Sequence, residues 1–198
     1  MSKGEETRAA VLDVAAAQVS VIGLSALSIG LLAERTQLSK SGLFSHFKSK
    51  EQLQLDVIDW TADLFAERVV RPALKAPRGE ARLRELFDRK LRWAHGDLAL
   101  PGGCFFYSVS AELDDAPPGP VRDRFLQVYR DYIDAIATVF RTGITEGQFR
   151  PDADPEQYAF DIQGVLMAFH HASRLLGDSR AEARAWAAFE TLVDAARS

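Results

Sequence analysis

Apolar residues recur at three- and four-residue spacing along almost the whole chain, and no window shows the alternation of β-branched and polar positions that a strand requires. The pattern predicts an all-α protein. A first helix is expected from about Glu5 to Val21, with Val11, Val14, Ala15, Val19 and Ile22 on one stripe and Gly23 placed to end it. Ser25 or Ser28 caps a short second helix, Ile29 to Arg35. After the turn Thr36-Gln37-Leu38, Ser39 caps a third helix that reaches about His46. Ser49 caps a fourth, with Glu51 and Gln52 near its positive end. That helix turns Leu53, Val57, Trp60, Leu64 and Phe65 inward and is expected to stop near Pro72. Beyond the break APRG at 76–79, helices are expected at roughly 80–97, 103–112, 120–147, 155–176 and 179–197. LPGG, DDAPPGP and RPDADP separate the last of these, with prolines at helix starts and Gly147 at a helix end.

Composition narrows the picture. With 198 residues, 47% of them hydrophobic, the chain can build one sizeable core or a small module joined to a larger one. The formal net charge of -4 excludes a protein that coats nucleic acid by general positive charge, so any polyanion site must be local. The single cysteine, Cys104, excludes an intrachain disulfide. The amino terminus MSKGEETRAA lacks a signal-peptide layout, and the most apolar run, residues 11–33, is interrupted by Asp13, Gln18 and several Ser and Gly. Both features point to a cytoplasmic protein with no membrane partner.

One stretch departs from the acidic background. Between Arg35 and Lys50 the charged residues are Arg35, Lys40, Lys48 and Lys50, with no acid among them. It coincides with two short helices joined by a tight turn and braced by a preceding helix, the helix-turn-helix layout whose second helix enters the DNA major groove. Ser39, Lys40 and Ser41 occupy the first turn of that helix, where hydroxyl and ammonium donors meet phosphates or base edges. Lys50 adds a charge to the same track, and Leu43 and Phe47 face inward. Ser28, Phe44 and His46 complete the DNA-facing candidates, with His46 equally suited to capping or packing the helix end.

The segment SIGLLAERTQLSKSGLFSHFKSKEQL resembles the DNA-binding segment of the tetracycline-repressor (TetR) family of bacterial one-component regulators. Leu38, Ser39, Leu43, His46, Phe47, Lys50 and Leu53 meet the family pattern. Three positions depart from it: Phe44 replaces a usual tyrosine whose hydroxyl donates to a phosphate, Gln37 stands where a small residue is common, and Ser41-Gly42 reverses a frequent order. The resemblance implies a helix-turn-helix DNA-binding domain over 1–48 and a helical domain over 49–198 that binds a small molecule and forms a homodimer through the last two helices. It also implies double-stranded operator DNA as partner, a small and largely apolar organic effector, and repression relieved by that effector.

The residues support a sensor core without identifying its occupant. Trp60, Trp93, Cys104, Phe105, Tyr107, Phe125, Tyr129, Met167 and His170 supply large apolar faces with a few polar tips, suited to a ligand pocket or to ordinary core packing. The paired glycines of GGCFFYS permit close backbone approach at that point, or mark a helix start. His170 and His171 are sequence neighbours on one helix and cannot chelate a metal as an i, i+4 pair does, so no metal and no cofactor is expected. No P-loop, GxGxxG, HExxH or CxxC is present, which argues against an enzyme. The rival to a regulator is a TetR-shaped ligand carrier or interaction dimer without specific DNA binding, and salt dependence of DNA affinity separates the two.

Overall fold

Hydroxyl side chains open the first four helices. In the computed structural model, which describes residues 2–98 and 100–197, Ser2 opens α1 (Lys3–Ile22) with a reciprocal capping box. Its Oγ accepts from the Glu5 amide at 3.3 Å while the Glu5 carboxylate accepts from the Ser2 amide at 2.6 Å, so the helix starts earlier than its apolar stripe indicates. Ser28, not Ser25, caps α2 (Ile29–Thr36), accepting from the Leu31 amide at 3.2 Å. Ser39 caps α3 (Lys40–Phe47) from the Gly42 amide at 3.1 Å, and Ser49 opens α4 (Lys50–Phe65) from the Gln52 amide at 3.0 Å.

The fourth helix ends differently from its expectation. After Phe65 one π-helical turn, Ala66–Val70, leads into the short α5 (Arg71–Ala73), so Pro72 lies inside helical backbone instead of beyond it. Proline has no N–H to offer the carbonyl four residues earlier. That carbonyl, on Arg68, accepts instead from Arg89 Nη1 at 3.3 Å, and the Arg71 amide reaches back five residues to Ala66.

The remaining helices are α6 (Glu80–His95), α7 (Phe105–Leu113), α8 (Pro120–Thr145), α9 (Pro155–Arg174) and α10 (Ala181–Ala196). The fold is all-α, a helix-turn-helix module followed by a larger helical domain. Among the described residues the sole extended pairing is an isolated antiparallel bridge between Phe149 and Arg197, and no helix is long and apolar enough to cross a membrane.

The chain divides into two compact units, Met1–Leu64 with Ala99–Gln127 and Phe65–Leu98 with Val128–Ser198. Residue 48, where the sequence suggested a boundary, lies inside the first unit. There α1 buries Val11, Ala15 and Val19, but Val14 is half-buried and Ile22 exposed, because the last turn presents Ser20 to the start of α7. Leu27, Leu43, Phe47 and Val57 complete the middle of this core.

The second unit is organised by aromatic stacks: Phe87 on Phe189 at 4.1 Å, and Phe140 between Phe149 at 4.5 Å and Tyr158 at 4.3 Å. Each such pair contributes roughly 0.5–1.5 kcal/mol beyond its area burial. Arg84 forks onto Glu190 at 2.5 and 2.7 Å and also bonds Glu80, which Arg197 grips from the end of α10. Hydrogen bonds from Arg197 and Arg84 hold the Glu80 carboxyl below its ordinary range, and Arg84 does the same for Glu190.

Candidate nucleic-acid interface and sensor core

Helix α3 is amphipathic in the sense its short length allows. Leu43 and Phe47 are buried, and the Arg8 guanidinium lies 5.5 Å from the Phe47 ring while pairing with Asp56 of α4 at 2.6 Å. The opposite face exposes Ser39, Lys40, Ser41, Phe44 and Ser45. Phe44 is 52% exposed, an unusual position for a large apolar ring unless it contacts something. His46 is half-buried beside Phe47, with ring centroids 6.2 Å apart.

The hydroxyls of Ser28 and Ser39 accept helix-capping bonds, which leaves each O–H able to donate outward. Ser39 and Ser41 lie 3.2 Å apart, Oγ to Oγ. Gln37, at the turn, adopts φ 58°, ψ 22°, the left-handed region that disfavours side chains by roughly 1–2 kcal/mol. This is the physical reason a small residue suits that position.

Lys50 has a second role that the sequence did not reveal. Its ammonium donates to the Ser25 carbonyl at 2.7 Å, and Gln54 donates to the Leu24 carbonyl at 3.1 Å. The amides of the same two residues donate to Glu112 at 2.7 and 2.8 Å. The turn after α1 is therefore clamped through its carbonyls by α4 and through its amides by α7. Gly102 seals the arrangement. Its amide donates to Ser20 Oγ at 3.0 Å, and a Cβ there would stand 1.8 Å from the Ser20 carbonyl oxygen, so only glycine fits. Gly102 thus serves close approach of the segment before α7 to α1, while Gly103 takes a positive φ of 81°. Glu112 and Ser20 carried no sequence signal, since their partners lie more than 80 residues away.

The sensor candidates fall in both units. Trp60, Cys104, Phe105, Tyr107 and Phe125 belong to the first, and Trp93, Tyr129, Met167 and His170 to the second. Trp60 is committed to α1, its indole N–H donating to Asp13 at 2.9 Å. Cys104 and Phe105 are fully buried, and Phe105 meets Phe106 edge to face at 5.5 Å. In the second unit Trp93 is buried, and Gln163 donates to the Tyr129 hydroxyl at 2.5 Å. Met167 points outward at 48% exposure and does not join them.

His170 titrates at about 4, lowered first by burial and then by the Arg174 charge, so its imidazole is neutral near pH 7. Sequence reasoning missed Lys90, which lies fully buried in the second unit with its ammonium over the rings of Phe65 and Tyr132. The signal was present: Lys90 falls in register with the buried stripe of α6. Among the described residues no group of three or more His, Cys, Asp or Glu could hold a metal ion.

Comparison with known proteins agrees with this geometry. The profile of bacterial regulatory proteins of the tetR family matches residues 11–57, and that of the tetracyclin repressor-like C-terminal domain matches residues 79–189. A TetR transcriptional regulator from Chloroflexus aurantiacus is 29% identical over 98% of this chain and 96% of its own, with a TM-score of 0.85. A TetR-family regulator from Cytophaga hutchinsonii is 21% identical over 100% and 98%, with a TM-score of 0.87. AibR, solved in complex with isovaleryl coenzyme A and operator DNA, is 22% identical over 92% and 98%, with a TM-score of 0.69. No curated protein sequence matches the chain.

Proposed function

The chain belongs to the TetR family of bacterial transcriptional regulators, a class of regulators and not of enzymes, and from that premise we propose that it is a cytoplasmic repressor released from its operator by a small organic effector. The observation that carries this reading is the exposed face of α3. Lys40, Ser41 and Phe44 project together from a helix capped by Ser39, in a segment with no acidic side chain between Arg35 and Lys50. Lys40, Ser39 and Ser41 contact phosphates and base edges, Ser28 and Lys50 flank the same backbone track, and Phe44 lies against that backbone without a hydroxyl to offer a phosphate. The functional division places DNA reading in residues 1–48 and effector binding and dimerisation in 49–198. A relative of the same fold that holds both an acyl-coenzyme A and operator DNA supports a protein with two such ligands.

Pairing of two copies is assigned to α9 and α10. On α9 Phe160 is 72% and Met167 48% exposed, and α9 and α10 also line a groove that includes Val165, Ala168, Ala172, Ala188 and Arg184. A two-fold dimer on this surface sets its recognition helices about 34–36 Å apart, one turn of DNA. Helix α4 transmits the effector signal, because Lys50 and Gln54 at its start hold the turn after α1 while Phe65 at its end belongs to the sensor unit. The effector acts only through a difference in affinity between DNA-competent and released states.

Titration of the protein against fragments of its own upstream DNA over a salt series tests the reading. Specific binding is expected to fall steeply with salt, and Lys40→Ala to reduce the salt slope by about one per protomer. Lys40 is the better probe than Lys50, whose ammonium also supports the fold. Absence of specific binding to every upstream fragment would favour a ligand carrier or interaction dimer.

A further inference from the structure

Leu24 and Ser25 lie in the bend that joins α1 to α2 and α3, and all four of their backbone polar groups bond to side chains of other helices. The Leu24 amide donates to Glu112 Oε1 at 2.7 Å and the Ser25 amide to Glu112 Oε2 at 2.8 Å. One carboxylate thus receives two successive N–H groups, which satisfies both donors and fixes the orientation of two neighbouring peptide planes. The Leu24 carbonyl accepts from Gln54 and the Ser25 carbonyl from Lys50.

The bend is shaped to admit this acid. Gly23 takes φ 85°, and a Cβ there would stand 2.2 Å from Glu112 Oε1, so the carboxylate lies directly against the glycine backbone. The consequence for α3 follows from chain order. Helix α2 begins at Ile29, four residues after Ser25, and α3 follows α2 after the turn 37–39. Helix α2 packs on both α1 and α3. The direction in which α2 and α3 leave α1 is therefore set at the bend. Helix α7, which supplies Glu112 from 88 and 87 residues away in sequence, belongs to the same compact unit.

We propose that Glu112 is a positioning residue for DNA reading: by holding the bend it presets the angle of α3, so its loss lowers operator affinity without removing any contact to DNA. The inference rests on the DNA-reading proposal above and names a residue outside 1–48 on which that reading depends. A protomer whose reading helices are correctly set only part of the time binds with an affinity reduced by that fraction, and a dimer suffers the reduction at both half-sites.

The test measures the full chain against an upstream DNA fragment that it binds specifically and against a scrambled fragment of equal length, each over a salt series. Glu112→Ala is expected to lower specific affinity roughly tenfold or more. Affinity for the scrambled fragment does not fall, and the salt slope of specific binding is unchanged, since no phosphate contact is lost. Removing a negative charge by itself favours binding to a polyanion, so a fall in affinity is not an effect of charge. Asp114→Ala, which removes an exposed acid two residues further on, is expected to cause no fall. Glu112→Gln keeps one oxygen for an amide and is expected to show a smaller fall, roughly threefold, again confined to the specific fragment. It carries the comparison if circular dichroism shows that the alanine variant does not fold. A lowered unfolding midpoint with unchanged specific affinity would reduce Glu112 to a structural clamp and overturn the proposal, as would an equal fall for both fragments. Absence of specific binding by the unaltered protein would remove the DNA-reading proposal, and this inference with it, whereas specific binding that both variants retain removes this inference alone.

Discussion

At the scale of single residues, chemistry is decided by which side of its helix each side chain occupies. Phe44 is exposed on α3, and in the proposed operator complex it lacks the hydroxyl that a tyrosine would offer to a phosphate. Phe44→Tyr is expected to tighten operator affinity by roughly three- to tenfold at fixed salt, read by titration with labelled DNA. His170 shows the opposite case, a polar group turned inward. Its folded pKa of about 4 lies below the unfolded value near 6.5, so between those limits the unfolded chain binds more protons than the folded one. Stability therefore falls as pH drops through this window and levels off below it. His170→Gln is expected to flatten that limb by on the order of 1 kcal/mol, measured by denaturant titration across the window.

Helices act here through the turns they clamp. The segment Leu24-Ser25 has its amides on Glu112 of α7 and its carbonyls on Lys50 and Gln54 of α4, so the turn after α1 is held by two further helices. Glu112→Ala leaves the Leu24 and Ser25 amides without their acceptor and is expected to destabilise the first unit by about 1–3 kcal/mol. Faster hydrogen exchange confined to those two amides and α2 would be the sign, with exchange in α9 and α10 unchanged. The end of α4 follows the same logic of backbone accounting. Pro72 removes a donor, the helix widens for one π turn, and Arg89 supplies the Arg68 carbonyl.

For the whole molecule, the decisive quantity is how much apolar surface a single copy leaves uncovered. Phe189 and Val193 of α10 are buried within the protomer, while Trp186 and Leu192 are half-buried, so this apolar stripe of α10 serves the protomer's own core. The uncovered surface belongs instead to α9, at Phe160 and Met167. Placing a charge at the centre of that face, Phe160→Glu with Met167→Glu, is expected to yield monomers in sedimentation equilibrium. Operator affinity should then fall by at least about a hundredfold, because each half-site would be bound alone. Retention of the dimer by the double variant would assign pairing to another surface.

The sequence alone determined whatever depends on neighbours a few positions apart. Periodicity placed the helices, hydroxyls at Ser39 and Ser49 placed their starts, and the acid-free segment between Arg35 and Lys50 marked the helix proposed to face DNA. Local order of this kind follows from backbone sterics and capping, which act over three or four residues. Tertiary structure decided what depends on partners far along the chain: that Lys50 supports a turn as well as a positive face, that Gly102 exists for the approach of α7 to Ser20, and that Trp60 is committed to Asp13. Lys90 stands between the two cases. Its place on the α6 stripe was legible in the sequence, but only packing shows a cation enclosed by Phe65 and Tyr132, because burial is a property of the surroundings and not of the residue.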